Sequence, residues 1–171
     1  LGWLWLCAVA LLGAGVFSLL LVASRPPCLS VVIPWIDFFH SALVVHVNLS
    51  LLVWSLSFGG ILWSLNQRPG RSWLAWTALL LAWLGAAIII VSPFVRDAQP
   101  LMSNYVPVLQ HPLFFSGLLL FALGFTLLVL NSMIFMAPVG PWMTGRGALR
   151  FGLNAAAIAA AVALICFGWS Y

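Results

Sequence analysis

Residues 39–60 read FHSALVVHVNLSLLVWSLSFGG, and the reading of this stretch decides the fold. Two histidines, an asparagine and four serines interrupt a run that is otherwise apolar and carries no formal charge besides the histidines. At 1.5 Å per residue a helix of this length spans a hydrocarbon core of about 30 Å. A titratable imidazole, His46, then stands inside a segment made for lipid. The rest of the sequence has to supply its reason.

Working outward, the chain has 171 residues, of which 65% are hydrophobic and 5% charged. Six arginines and two aspartates, with no lysine or glutamate, are too few to solvate a water-soluble domain. The bilayer is the expected solvent. The net charge of +4 is accordingly read for membrane orientation and not for nucleic acid, of which no binding motif is present. Runs long enough to span occur at residues 3–24, 37–65, 73–93, 113–136 and 149–170. The expected fold is all-α: a multi-pass protein whose five transmembrane helices form a single membrane domain, residues 1–171. The first run is too long and too rich in Trp and Gly for a signal-peptide core, and no Ala-x-Ala site follows it. The sequence begins at Leu1 and not Met, so further residues are expected upstream.

The connections differ in charge. Arg68 and Arg71 lie between the second and third runs, and Arg146 and Arg150 between the fourth and fifth, with no acid in either. The other two connections pair Arg25 with Asp37 and Arg96 with Asp97. The positive-inside rule therefore predicts a cytoplasmic N-terminus, with the 1–2 and 3–4 loops outside. Those outer loops are long and broken by proline. The inner ones are a Pro-Gly turn, NQRPGRS, and a Gly/Pro linker, APVGPWMTGRG. Of ten tryptophans, Trp3, Trp5, Trp35, Trp63, Trp73 and Trp142 fall near expected interfaces. Cys7 and Cys166 read as apolar fillers and Cys28 as a loop residue. Three cysteines without a C-x-x-C spacing suggest neither a disulfide framework nor a zinc site.

If the second helix starts near Asp37, His46 lies about 13 Å along it. A polar ring at that depth is costly unless it faces protein, a cavity or a ligand. Ala42, His46, Ser50, Val53, Ser57 and Gly60 share its stripe, and nearly all are small. Such a shelf suits close helix packing, with His46 giving one interhelical hydrogen bond. It equally suits a flat macrocycle ligated axially by the imidazole. His40 is about 240° round the helix from His46, so the two do not form one ligand pair. Its expected partner is Asp37 or a heme propionate, or it is a plain interfacial residue. His111, in QHPLFF, stands shallower, just before the fourth helix, and is the candidate for a bis-imidazole pairing with His46.

The order of these features resembles the N-terminal half of subunit I of the heme-copper oxygen reductases, in the branches near the B-type oxidases and nitric oxide reductases. The residues carrying the resemblance are VHVNLSLLVW in the second helix, WLAWTALLLAWLGAAIII in the third, and NYVPVLQHPLFFSGLLLFALG leading into the fourth. The resemblance implies that His46 is an axial ligand of a low-spin heme b or heme a. It also implies a multi-pass protein of the bacterial inner membrane, acting in respiratory electron transfer as part of an oxidoreductase. In that family the second axial histidine and the copper ligands fall on later helices, and neither H-x-x-x-Y nor a His-His pair occurs here. The expected partners are thus the lipid bilayer and other membrane subunits, one of which supplies the second ligand. A second reading is a cofactor-free accessory or scaffold subunit of a respiratory or photosynthetic complex. A transporter is the weakest reading, because the cores of the expected spans contain no Asp, Glu, Lys or Arg.

Overall fold

In a computed structural model the chain is described at residues 1–24, 37–67, 73–95, 98–102, 106–141 and 143–169. The helices are α1 (Gly2–Ala23), α2 (Phe38–Leu65), α3 (Trp73–Val91), α4 (Pro112–Ile134) and α5 (Gly145–Trp169). A 3-10 turn, Ser92–Phe94, prolongs α3. Each of the five helices contains a stretch long and apolar enough to cross a membrane. The expectation of five long apolar helices is met. Cys28, Trp35, Arg68, Arg71, Arg96, Asp97 and Trp142 lie outside the described residues.

Local chemistry sets the helix ends, and it produces three differences from the sequence expectation, two at helix ends and one inside a helix. Helix α4 starts at Pro112, whose fixed φ and missing N–H suit a first helical position, with His111 as its cap. It stops at Ile134 and not 136, because Met136 leaves the helix to pair with Gln67 in an antiparallel bridge. Helix α5 starts at Gly145, earlier than 149, since the Thr144 hydroxyl accepts the Gly147 amide at 3.1 Å and caps the turn. The third difference is inside α2, where Asn48–Val53 is π-helical and the Trp54 amide reaches back to the Leu49 carbonyl.

The purely helical expectation also needs one addition. Strands β1 (Gln99–Leu101) and β2 (Val108–Gln110) pair antiparallel between α3 and α4, with Pro100 opposite Leu109. Leu109 is fully buried, so this small hairpin caps the end of the helices where α2 begins.

Packing is organised in two antiparallel pairs. Helix α1 runs against α2, with Trp3 over Gly60, Cys7 beside the Trp54 carbonyl and Ala14 beside His46. Helix α3 runs against α4 at backbone distance. A Cβ at Gly85 would stand 2.4 Å from the Phe121 nitrogen, and one at Gly124 would stand 2.7 Å from the Ala82 nitrogen. Small residues therefore set this crossing, as they do where helices associate without a hydrophobic drive. Phe94 touches the rings of Phe17 and Phe38 at one end, and Trp63 touches Phe125 toward the other.

Helix α5 is the least covered, with 11% of its apolar window buried against 39% in α2. Phe151, Val162 and Ile165 face outward from it. Cys166 is exposed there, which corrects its reading as a packed filler, whereas Cys7 is buried as expected. Trp3 and Trp63 likewise turn inward and not toward an interface; the Trp63 indole donates to the Leu153 carbonyl at 3.0 Å. Trp5 and Trp73 remain exposed.

Candidate functional site

His46 is the penultimate residue of the α-helical part of α2, just before the π-helical segment. Its Nδ1 lies 2.8 Å from the carbonyl oxygen of Ala14 on α1. A carbonyl only accepts, so Nδ1 carries the proton and donates. In the neutral ring Nε2 then holds a lone pair, and among the described residues nothing binds it. Metal-ligating histidines commonly present this arrangement, one nitrogen held by a carbonyl and the other free to coordinate. The ring is half-buried at the α1–α2 seam. Below it, the Ser50 hydroxyl donates to the His46 carbonyl at 2.8 Å, a bond compatible with the local change of helical pitch.

The shelf of small residues has a different use from an open platform. Ala42, Val53, Ser57 and Gly60 are all buried, and the Trp3 ring lies on Gly60. That face of α2 is packed by protein. A macrocycle on His46 would have to meet the ring at the half-buried seam.

The other two histidines are placed apart in role. His40 is exposed, with Nδ1 2.7 Å from Asp37 Oδ2, and Asp37 also accepts the His40 amide as the cap of α2. The expected bond to Asp37 is thus present. His111 Nδ1 accepts the Leu113 amide at 3.1 Å. This fixes the opposite tautomer from that of His46: Nε2 of neutral His111 keeps its proton and is a donor. Coordination through that nitrogen would require the proton to move to Nδ1, at the loss of the cap bond from the Leu113 amide. Among the described residues no three His, Cys, Asp or Glu side chains cluster to hold a metal.

Sequence reasoning passed over the asparagines. Asn48 is fully buried and its amide donates at 2.8 Å to both the Val44 and Pro107 carbonyls, tying α2 to the segment that enters β2. Its Oδ1 and the Ser41 and Ser57 hydroxyls are buried and have no hydrogen-bond partner among the described residues. At the opposite end, Asn66 Nδ2 donates to Asn154 Oδ1 at 2.8 Å, and Asn154 donates to the Ala137 carbonyl at 3.3 Å. The Ala137 amide closes the loop onto the Asn66 carbonyl. The signal was available: a carboxamide in or beside an apolar span needs a partner. Which partner depends on helices 88 residues apart.

The chain is 28% identical over 193 aligned positions to an uncharacterized protein of Rickettsia prowazekii, covering 99% of this chain and 37% of that protein. It is 36% identical over 134 positions to an uncharacterized protein of Aquifex aeolicus, covering 78% of this chain and 33% of that one. The chain thus spans about a third of the length of these curated relatives. No family model matches the chain, and no solved structure does.

Proposed function

We propose that the chain is a multi-pass protein of the bacterial inner membrane, with its N-terminus in the cytoplasm, in which His46 is one axial ligand of a heme b or heme a serving respiratory electron transfer. The observation that carries this reading is the bond from His46 Nδ1 to the Ala14 carbonyl, which leaves Nε2 as a lone-pair donor at membrane depth. A bound heme supplies one-electron redox chemistry. The chain's own part is to orient the imidazole through the Ala14 carbonyl and to surround it with low-dielectric helix packing. The resemblance of the helix order and of VHVNLSLLVW to the heme-copper oxidase family supports the same role, and both relatives come from bacteria. The second ligand is assigned to another subunit or to a part of the protein beyond these residues, as the resemblance implies; His111, whose Nδ1 already accepts the Leu113 amide, is the alternative within this chain.

The test is a pyridine hemochrome spectrum of the complex purified from membranes, with and without His46→Ala. Loss of one heme in the variant is expected; full retention sinks the assignment. Orientation is tested separately with a membrane-impermeant maleimide. Met143→Cys should react only from the cytoplasmic side and Met102→Cys only from outside, since both positions are exposed at opposite ends of the helices.

Two observations favour the second reading, a cofactor-free scaffold subunit. The small-residue face of α2 is already filled by protein, and His46 already has an interhelical partner. Purified complex without heme, destabilised by His46→Ala, would select that reading.

A further inference from the structure

A cleft of about 220 Å³ lies between the last turn of α2 and the first turns of α5, with Arg146, Arg150 and Asn66 on its wall. We infer that this cleft binds the phosphate of an anionic membrane lipid. The inference rests on the reading of the chain as membrane-spanning.

Charge is the first argument. Arg146 and Arg150 stand four residues apart on one face of α5, an arrangement that repels. They also stand at the positive end of the helix dipole, and the first turn of α5 contains no acid. The whole chain has two carboxylate side chains, Asp37 and Asp97. Asp37 caps the far end of α2, 28 residues and about 40 Å away, several times the Debye length of about 8–10 Å. It is also engaged by His40. Asp97 falls in the connection after α3, outside the described residues. Among the described residues neither arginine has an acidic partner.

Geometry is the second. The Arg150 guanidinium donates one bond to the Pro138 carbonyl at 3.2 Å, which anchors it and leaves its other N–H groups for an anion. Behind it the wall is held by the Asn66–Asn154–Ala137 bonds.

Wall chemistry selects the occupant. Leu65 and Leu149 flank the arginines and are 80% and 61% exposed, offering carbon to glycerol and acyl chains while the guanidiniums meet phosphate. The volume is below the range of about 300–1,000 Å³ typical of drug-sized ligands, which suits a headgroup phosphodiester better than a nucleotide. Basic pockets between helices on the cytoplasmic side are where anionic headgroups are commonly held.

The experiment is native mass spectrometry of the protein released from nanodiscs of phosphatidylcholine titrated with phosphatidylglycerol. Wild type should retain phosphatidylglycerol in preference to phosphatidylcholine. Arg146→Gln should weaken retention roughly fivefold, and Arg146→Gln/Arg150→Gln roughly 25-fold, at about one interfacial charge's contribution per arginine. The charge-preserving Arg146→Lys/Arg150→Lys should keep most of the preference, which separates binding from folding. Equal retention of the two lipids by wild type overturns the inference. So does unchanged retention in the double glutamine variant, and so does full displacement by millimolar inorganic phosphate. Extraction of the wild-type protein from membranes by alkaline carbonate would instead overturn the membrane reading beneath it.

Discussion

The His46 imidazole donates from Nδ1 to the Ala14 carbonyl oxygen at 2.8 Å, joining α1 and α2 across 32 residues of sequence. One bond therefore sets the tautomer of the ring and fastens two helices that also pack through Trp3 and Gly60. In protein labelled with ¹⁵N-histidine, His46 should show a protonated Nδ1 and an unprotonated Nε2, and neutral His111 the reverse. Replacing His46 by Ala should cost about 0.6–1.7 kcal/mol, the range for interhelical hydrogen bonds in membranes. Reversible unfolding in mixed micelles measures it.

Asn48→Leu should be costlier. It removes two bonds from a fully buried amide and leaves the Pro107 carbonyl without this donor. A cost of about 1–3 kcal/mol follows from the stranded acceptor. Hydrogen exchange should quicken at Leu109 and Gln110 in β2, because Asn48 ties the hairpin entry to α2, and should stay unchanged along α5.

Two glycines should respond with opposite signs. A methyl at Gly85 meets the backbone of α4, which has no flexible atom to move aside, so Gly85→Ala should destabilise by about 1–3 kcal/mol. Gly152 is exposed on α5 with nothing within 4 Å of a new Cβ. Gly152→Ala should stabilise by about 0.5–1 kcal/mol through helix propensity. Thermal unfolding of both variants in the same detergent decides the contrast.

The Asn66–Asn154 pair should couple energetically. In a cycle of Asn66→Ala, Asn154→Ala and the double variant, the coupling should be about 0.6 kcal/mol and no more than about 1.7. Zero coupling would mean that the pair does not fasten α5 to α2.

Much of the fold was legible because a bilayer constrains a chain so severely. Apolar runs of about 20 residues admit only helices or closed barrels, since every backbone group must be satisfied internally. The five helices accordingly sit within a few residues of where composition put them. The errors fell where a specific side chain overrode the pattern. Thr144 started α5 early, the Gln67–Met136 bridge ended α4 early, and a hairpin of two three-residue strands formed in a loop whose Pro100 and Pro107 argued against strands.

The site was half legible. His46 stood out because an imidazole in an apolar span demands a partner, and the stripe of small residues beside it was visible at helical spacing. What that stripe packs against was not visible, because helical periodicity specifies a face and never the neighbour that covers it.

By itself, then, the sequence determined the membrane-type composition, the number of long apolar helices and the candidate histidine, all of which follow from local composition and period. Only the tertiary structure decided that α1 fills the shelf of α2, that His46 and His111 adopt opposite tautomers, and that Asn66 meets Asn154. Each of these depends on hydrogen-bond partners distant in sequence or on backbone directions at a helix cap, and such geometry exists only once the helices have packed.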